Sequence, residues 1–443
     1  MSLSYKTPHY FRDFQCLADK CEDTCCQHWE IKLDKKHYLL LKQKMMADAE
    51  NAKLFERYIQ INEQPVSGDH DFAFILMDET GHCPMLGKDG FCNVHRLYGV
   101  QPLGNTCAFF PRVISRNGDE IEMSGALSCP EVVRRCLSAE GEMKYVSFSP
   151  SILPRQRDYP LQRELPNNPK DYYARYFKQV RGAMLKLCGE ESVELDTRLY
   201  ALATLAHRIS QYYHKDCGAP DEQQLANNLA EIAENSSLNK IGEYLLRYER
   251  GESVGLVVVH SILKIKQVRF PGEPIGKLVN RIFADYIETF DWEAGGDAQA
   301  DIGITALQKE FDRRRHRCEA AFAPEVERYL TRYLQNCLFR EWFYTMPDSF
   351  TYVQMLLLRL AMLRFLIVSH PQIQKLAERR LAADNTAKAS EEILADLEKE
   401  VVSIIYNFAR NIDQNMAFLQ VIYNAVSEQQ MMNHDYSLAF IKI

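Results

Sequence analysis

The sequence predicts a mainly α-helical protein that begins with a cysteine-rich α+β domain. Nine of the 13 cysteines lie within the first 136 of the 443 residues, in a region punctuated by glycine. After residue 170, apolar residues recur at spacings of three and four, as in amphipathic helices. Five prolines from Pro150 to Pro169 separate the two regions, and proline neither continues a helix nor donates to a sheet. We therefore expect a metal-binding domain at 1–148, a proline-rich linker at 149–170 and an α-helical domain at 171–443.

Composition excludes several kinds of protein. The chain is 46% hydrophobic and 26% charged, which is typical of a globular protein and rules out a disordered or collagen-like chain. The formal net charge of −7 gives no reason to expect nucleic acid or an anionic membrane as a partner. The basic run at 313–317 lacks interleaved aromatic residues and is typical of a solvated helix face. The most apolar stretch, at 355–368, is interrupted by Arg359 and Arg364, which favours a buried helix over a membrane span.

Local patterns predict the individual elements. Asn117-Gly118 predicts a β-hairpin at 113–123, because this dipeptide accepts the positive φ of a type I′ turn. The helical domain is predicted to begin with a helix at 172–187. Asp196 is the expected N-cap of a helix at 199–213, and Asp221 is that of a helix at 225–233. Further amphipathic helices are expected at 393–408 and 416–431.

The cysteines are the strongest indication of function. Charged residues interrupt every apolar run near the N-terminus, so we expect no secretory signal and a cytoplasmic location. Thiols stay reduced there, and clustered thiols then favour metal binding over disulfides. Inert buried cysteines would explain one or two of these thiols, but not eight in a loop-rich region. The candidate metal ligands are Cys16, Cys21, Cys25, Cys26, Cys83, Cys92, Cys107 and Cys129.

The spacing of these thiols favours an iron–sulfur cluster, with zinc as the alternative. Structural zinc sites usually contain Cys-x2-Cys pairs, which this chain lacks, whereas clusters accept wider spacings. If 21–26 is helical, Cys21 and Cys25 share one face and Cys26 points away. His95 and His28 lie near cysteines and are weaker candidate ligands. One [4Fe–4S] cluster takes four thiolates, so eight thiols imply a second centre or spare thiols.

Several motifs in this region form a combination that is specific. They are Phe14-Gln15-Cys16, Cys21-Glu22-Asp23-Thr24-Cys25-Cys26-Gln27-His28-Trp29, Ile31-Lys32-Leu33-Asp34, Cys83-Pro84-Met85-Leu86, Cys92, Thr106-Cys107-Ala108-Phe109-Phe110-Pro111-Arg112 and Leu127-Ser128-Cys129-Pro130-Glu131. Over residues 10–135 the chain resembles the flagellin lysine-N-methylase (FliB) family, and a broader family of zinc- or iron-chelating proteins shares its cysteine skeleton. A weaker resemblance covers 329–343. The resemblance implies transfer of methyl groups from S-adenosylmethionine to lysine side chains of flagellin, with a [4Fe–4S] cluster on the cysteines.

The sequence itself shows no familiar site for S-adenosylmethionine. It has no glycine-rich turn between a strand and a helix, and it lacks the Cys-x3-Cys-x2-Cys motif of radical S-adenosylmethionine enzymes. Arg112 is a candidate contact for the carboxylate of this methyl donor, with a structural salt bridge as the alternative. Two other functions stay open: a non-catalytic binding protein whose metal only folds the N-terminal domain, and an iron–sulfur redox protein. Bound S-adenosylmethionine would separate the enzyme from both.

Overall fold

The chain divides into two compact units. The computed structural model describes residues 4–27, 31–65, 68–149, 153–155, 159–232, 234–247, 254–289, 303–382 and 387–443. The cysteine-rich unit comprises Met1–Val132 and Lys144–Asn167, and the helical unit comprises Val133–Met143 and Asn168–Ile443. Helices dominate the described residues and the strands lie in the cysteine-rich unit, so the predicted fold class is confirmed.

The described residues of the cysteine-rich unit form two small sheets. The strands are β1 (Tyr5–Pro8), β2 (Ile31–Leu33), β3 (Ile59–Ile61), β4 (Ala73–Ile75), β5 (Arg112–Asn117), β6 (Glu120–Gly125), β7 (Tyr145–Phe148) and β8 (Arg163–Leu165). One sheet has the order β7-β1-β6-β5-β8, and the other, which is antiparallel, has the order β2-β4-β3. In the first sheet β8 pairs in parallel with β5, so part of the segment predicted as a linker is an edge strand instead. The helices here are α1 (Lys35–Met45), α2 (Ala49–Tyr58), α3 (Asn93–Tyr98), α4 (Asn105–Phe109) and α5 (Pro130–Leu137), which ends in residues of the helical unit.

The predicted hairpin is confirmed as β5 and β6, but its turn is of a different type. Asn117 pairs with Glu120, which leaves Gly118 and Asp119 as the two loop residues. Gly118 has a φ of +63°, whereas Asp119 does not have a positive φ. A positive φ at the first loop position alone is typical of a type II′ turn. Asn117 is therefore the last strand residue, and glycine alone provides the conformation that the turn requires.

Helices make up the second unit. They are α6 (Tyr172–Arg175), α7 (Phe177–Cys188), α8 (Leu195–Ser210), α9 (Glu222–Glu231), α10 (Asn235–Arg247), α11 (Val254–Arg269), α12 (Pro274–Thr289), α13 (Ile304–Arg340), α14 (Ser349–Ser369), α15 (Pro371–Ala382), α16 (Ala387–Phe408), α17 (Met416–Glu428) and α18 (His434–Ile441). The long helix α13 is kinked at Phe322, two residues before Pro324. A proline inside a helix removes one backbone hydrogen bond and clashes with the preceding turn, which accounts for the kink.

The predicted helices are present with shifted ends. Asp221 caps α9 by accepting the N–H of Gln224 at 3.0 Å, as predicted. The N-cap prediction for Asp196 is wrong, because α8 already begins at Leu195, after Glu194. Asp196 lies in the first turn of α8 and accepts a hydrogen bond from Arg364 at 2.9 Å. This long-range pairing, rather than a local cap, determines the position of Asp196.

Helix α14 is the core of the helical unit. It contains the stretch at 355–368, and its prediction as a buried helix is confirmed. In the described part of the chain it is the one helix long and apolar enough to cross a membrane by length and composition, and 94% of its most apolar window is buried inside the protein. The two arginines that interrupt it are both paired: Arg364 with Asp196, and Arg359 with Glu341.

The basic run at 313–317 is neutralised by neighbouring acids. Arg314 is buried and pairs with Glu310 and Asp285, so the prediction of a fully solvated face is wrong at this position. The remaining arginines of the run pair with Glu310, Glu319 and Glu378. The run therefore contributes to the packing of α13.

A charge-balanced cluster lies buried in the helical unit, within and beside the segment 329–343. Arg359 pairs with Glu341 at 2.7 Å and lies 3.4 Å from a carboxylate oxygen of Asp413. The hydroxyl of Tyr333 donates to Asp413 at 2.8 Å, and Arg340 pairs with Glu341 at 2.7 Å. The charges of two arginines and two carboxylates thus compensate one another at a buried position that bulk water does not solvate.

We predict that Asp413→Asn destabilises the helical unit by about 3–5 kcal/mol, because it leaves a buried arginine partly uncompensated. Asp413 ends a five-residue π-helical turn, Ala409–Asp413, and its side chain has no exposed surface. Asp396→Asn is the matched control, since the Asp396 side chain is 56% exposed and lies 3.9 Å from Arg379. The control should cost less than about 1 kcal/mol in urea unfolding followed by circular dichroism. Equal costs for the two substitutions would contradict this account.

Candidate functional site

All eight candidate cysteine ligands and Arg112 line one cavity of about 890 Å³ in the cysteine-rich unit. Its walls come mainly from the stretches 16–27, 31–33, 82–112 and 129–130. The ninth N-terminal cysteine, Cys136, lies elsewhere, in α5, and its thiol donates to the carbonyl of Arg332 at 3.7 Å. The fold thus collects the eight thiols from distant parts of the sequence, and their role as metal ligands stays a prediction.

The first wall of the cavity is an irregular loop that carries four of the thiols. Residues 18–20 form one 3-10 turn, and 21–26 is not helical, so the shared helical face considered for Cys21 and Cys25 is not formed. Ala18 has a φ of +52°, which is uncommon for alanine. Its N–H donates to Cys16 Sγ at 3.4 Å. The N–H of Cys26 donates to the hydroxyl of Thr24 at 3.1 Å, so turns hold this loop instead of a helix.

The second wall is a loop joined to the first by backbone hydrogen bonds. The N–H of Cys83 donates to the carbonyl of Cys26 at 2.8 Å. Gln27 and His82 form an isolated antiparallel bridge next to this contact. Cys92 occupies the N-cap position of α3, where the backbone N–H groups of Val94 and His95 lower the pKa of its thiol, against a larger rise from burial. Backbone contacts thus join the loop that carries Cys83 to the first loop.

Helices carry the last two thiols. Cys107 lies in α4, which starts directly after Gly104. A Cβ on Gly104 would lie 2.5 Å from Leu33 Cδ2, so only glycine allows α4 to approach β2 this closely. Cys129 directly precedes α5, and the backbone N–H groups of Glu131 and Val132 lower the pKa of its thiol, against a larger rise from burial.

Electrostatic interactions sort the thiols into two sets. The four-thiol set consists of Cys25, Cys83, Cys92 and Cys107. Every pair of thiols within this set interacts electrostatically. The three-thiol set consists of Cys16, Cys21 and Cys129. These interactions act over several ångströms, and among the described residues no three Cys, His, Asp or Glu side chains are placed as ligands of a single metal ion.

Burial makes most of these thiols weak acids. Burial raises the pKa of the Cys83 thiol to about 11, and the nearby thiols of Cys92 and Cys25 add to this rise. One backbone N–H acts in the opposite direction and lowers the pKa. The pKa of Cys107 is well above its ordinary value because its thiol is desolvated and faces the other three. Burial raises the pKa of Cys129 to about 12. A metal would have to displace these protons, so metal binding should strengthen as pH rises.

Arg112 is the cation beside the three-thiol set. It begins β5, and its guanidinium lies 5.3 Å from the centre of the Phe14 ring. Burial lowers the pKa of Arg112, and the facing sulfurs of Cys16 and Cys129 oppose that effect. Within the described ranges it forms no salt bridge to a carboxylate, so the structural salt bridge considered as an alternative is not found there. An anionic group of a ligand could pair with it.

Histidines also reach the cavity. The sequence does not single out His82, yet it lines the cavity, and its Nδ1 lies 2.8 Å from the Thr80 hydroxyl. That hydroxyl donates to Asp78 at 2.6 Å. The Asp-x-Thr-x-His pattern just before Cys83 is therefore the feature of the sequence that could have indicated His82 as a cavity residue. His95 lines the cavity as well. His28 lies outside the described residues.

The helical unit identifies the family. Residues 181–440, more than half of the chain, match the model of the FliB lysine N-methylase C-terminal domain. The chain belongs to this family. The matched region lies within the helical unit and includes 329–343, where the resemblance in the sequence is the weaker one.

Curated relatives of this FliB-family chain come from Salmonella. The flagellar biosynthetic protein FliU of Salmonella muenchen is 35% identical over 155 residues, which are 33% of this chain and 86% of FliU. The lysine-N-methylases of Salmonella choleraesuis (strain SC-B67) and Salmonella typhimurium (strain LT2) are each 32% identical over 139 residues, which are 31% of this chain. The chain thus spans 33% of the length of these two relatives. No solved structure matches the chain.

We predict that Cys107→Ser loosens the cysteine-rich unit of the metal-loaded protein and leaves the helical unit folded. A metal crosslinks loops that contain little regular secondary structure, so losing one ligand weakens the crosslink. Cys217→Ser is the matched control, because the Cys217 thiol donates to the carbonyl of Tyr212 at 2.7 Å and a serine hydroxyl can replace it. Limited proteolysis should cut the Cys107→Ser protein faster only within residues 1–132 and 144–167, which form the cysteine-rich unit. Identical digestion of both variants would show that Cys107 is not a structural ligand.

Proposed function

We propose that this protein is an S-adenosylmethionine-dependent protein-lysine N-methyltransferase that acts on flagellin and carries an iron–sulfur cluster. The observation that carries the proposal is the match of residues 181–440 to the lysine N-methylase family. Two relatives are named lysine-N-methylase and a third is named a flagellar biosynthetic protein, which supports lysine as acceptor and flagellin as substrate. The cavity of the cysteine-rich unit supports the cofactors.

The four-thiol set fits an iron–sulfur cluster. A [4Fe–4S] cluster takes one thiolate for each iron, and Cys25, Cys83, Cys92 and Cys107 supply four thiols to one cavity. Backbone N–H groups near the sulfurs tune such clusters, and nearby N–H groups lower the pKa of Cys83 and Cys92, against a larger rise from burial. A bound cluster would supply one-electron chemistry at this cavity. Zinc on the same thiols is the alternative, and sulfide analysis separates the two.

The cavity also has room and one charged anchor for the methyl donor. Its volume of about 890 Å³ lies in the upper part of the range for ligand sites, roughly 300–1,000 Å³. Arg112 presents a planar guanidinium that can donate two hydrogen bonds to a carboxylate such as that of a methionyl group. Phe14 lies under this guanidinium and limits its movement. Arg112 therefore binds and orients the donor in this proposal.

The acceptor lysine must lose a proton before it can attack a methyl group. An ammonium group cannot act as a nucleophile, and desolvation lowers the pKa of an amine. Apolar side chains of the cavity, among them Met85, Val100 and Leu103, exclude water from part of its wall. Entry of a lysine side chain into this wall would favour the neutral amine.

The proposal predicts methyl transfer that depends on the four-thiol set. Anaerobically purified protein should transfer label from S-adenosylmethionine to lysines of flagellin, as detected by peptide mass spectrometry. Cys107→Ser should lower the rate at least about 100-fold, because it removes one of the predicted ligands of the cluster. Cys217→Ser should leave it unchanged.

The same assay separates the alternative functions. A metal-loaded protein that transfers no methyl group and binds no S-adenosylmethionine would favour the non-catalytic binding protein. Reversible reduction with no methyl transfer would favour the redox protein. Full transfer by metal-free Cys107→Ser would keep the enzyme and exclude a role for the metal in its reaction.

We predict that Arg112→Met raises the KM for S-adenosylmethionine roughly 10- to 100-fold, the cost of one charged hydrogen-bonded contact. Methionine preserves the contact with Phe14, so folding should be little affected. Arg116→Met is the control on the same strand, because Arg116 pairs with Glu164 outside the cavity. Equal KM values for the two variants would discard Arg112 as a donor contact.

A further inference from the structure

A second cavity lies within the helical unit and has no part in the proposed reaction. Its volume is about 460 Å³, inside the range of roughly 300–1,000 Å³ that ligand sites occupy. Its lining residues lie within 194–196 at the start of α8, 315–330 on both sides of the kink in α13, and 364–368 in α14. We name it the α13 cavity.

The α13 cavity is apolar where it is buried and acidic where it is exposed. Glu194 is exposed, and the side chains of Glu319 and Glu327 are 51% and 40% exposed. The fully buried lining residues are all apolar: Leu195, Cys318, Leu330 and Val368. This arrangement fits a ligand with an apolar stem and a polar head group.

The two arginines that line the α13 cavity are engaged within the protein. Arg364 donates to Asp196 at 2.9 Å, and Lys442 donates to the other oxygen of the same carboxylate at 3.3 Å. Arg364 also donates to the carbonyl of the last residue of α18 at 2.5 Å. Arg315 lies 3.7 Å from Asp312 and donates to a second carboxylate in its own helix. Basic groups therefore have little capacity left for a ligand in this cavity.

Acceptor groups, in contrast, are left over at its exposed side. Within the described ranges, the Glu194 side chain neither caps α8 nor forms a salt bridge. Glu319 accepts from Arg315 through one oxygen at 2.8 Å, and Glu327 pairs with Arg198 through one oxygen. A carboxylate has two oxygens and about four acceptor positions. The three glutamates can therefore accept further hydrogen bonds from a cationic donor.

The start of α8 keeps Glu194 ionised and does not make the cavity an anion site. The positive end of a helix dipole favours negative charge, and the protein already places Glu194 and Asp196 there. An anionic ligand would meet these two carboxylates as well as those of Glu319 and Glu327. A cation is the ligand that all four carboxylates attract.

We propose that the α13 cavity binds the side chain of a lysine in a protein partner, with the ammonium at Glu194, Glu319 and Glu327 and the stem on the buried apolar residues. A lysine ammonium is a compact charge with three donors, and its aliphatic stem packs on apolar surface. The cavity would then be a docking site and not the site of methyl transfer. That the partner is flagellin rests on the proposed function, whereas binding of an alkylammonium group does not.

Binding of n-butylammonium to the full-length protein is the first test, followed by NMR of ¹³C-labelled methyl groups. The probe should shift the methyl signals of the cavity residues Leu195, Leu330 and Val368. The dissociation constant should rise at least about tenfold in Glu194→Gln, the loss of one charged hydrogen bond. Glu191→Gln is the control, because Glu191 is exposed and lies outside the cavity.

Two uncharged or oppositely charged probes make the same experiment decisive. n-Butanol has the same stem without the charge, and acetate carries the opposite charge. Both should bind at least about tenfold more weakly than n-butylammonium. Equal binding of n-butanol, tighter binding of acetate, or an unchanged dissociation constant in Glu194→Gln would overturn the proposal.

Filling the cavity is a second test that leaves its charges in place. Ala323→Leu places a larger side chain on the cavity wall and should abolish the methyl shifts caused by n-butylammonium. Ala320→Leu is the matched control, because Ala320 is also exposed on α13 but does not line the cavity. Equal binding by both variants would contradict the assignment of the ligand to this cavity.

Methyl transfer to flagellin tests the identity of the partner. Glu194→Gln should raise the KM for flagellin about tenfold and leave kcat and the KM for S-adenosylmethionine unchanged, since a docking site contacts only the protein substrate. An unchanged KM for flagellin would overturn flagellin as the docked partner. A protein that transfers no methyl group would refute the proposed function, whereas binding of n-butylammonium would still decide the docking site. The two failures are therefore distinguishable.

Discussion

The cysteine-rich unit depends on how it accommodates eight thiols around one cavity. A thiol ionises readily only where cations or hydrogen-bond donors stabilise the thiolate. Arg112 provides a cation to Cys16 and Cys129, whereas half-buried Cys107 faces other sulfurs, and each of these raises its pKa further. Protons on the thiols resolve this repulsion. A cationic metal centre, as proposed, would resolve it in a way that also joins the loops.

The surrounding fold positions these loops through the backbone. The hydrogen bond from Cys83 to the carbonyl of Cys26 joins the two walls of the cavity. The motif at residues 31–34 has a structural role, because its last residue, Asp34, caps α1 by accepting the N–H of His37 at 3.1 Å. Arg155 donates to Asn105 at 2.7 Å, at the start of the helix that carries Cys107. This polar contact helps to hold the start of α4 in place.

Local signals in the sequence predicted local features of the structure. The hairpin, the Asp221 cap and the buried helix at 355–368 each depend on residues close together in the chain. Long-range pairing determined the features that were missed. Strand β8 forms through its pairing with β5, which is distant in the sequence. Asp196 accepts a hydrogen bond from Arg364 and does not cap a helix. The eight candidate ligands could be named from the sequence, but the sulfurs that face one another could not, since Cys25 and Cys107 lie 82 residues apart and meet only in the folded unit.

The two units differ in how their buried charges are compensated. In the helical unit, Asp413 has Arg359 and Tyr333, and Glu341 has two arginines, so these charges stabilise a packed interior that needs no ligand. In the cavity of the cysteine-rich unit, sulfurs face sulfurs and Arg112 faces no described carboxylate in a salt bridge. Buried groups without a partner inside the protein are those that a ligand satisfies. The family match therefore identifies the helical unit, and the groups that face no partner are the reason we propose that the cofactors bind in the cysteine-rich one.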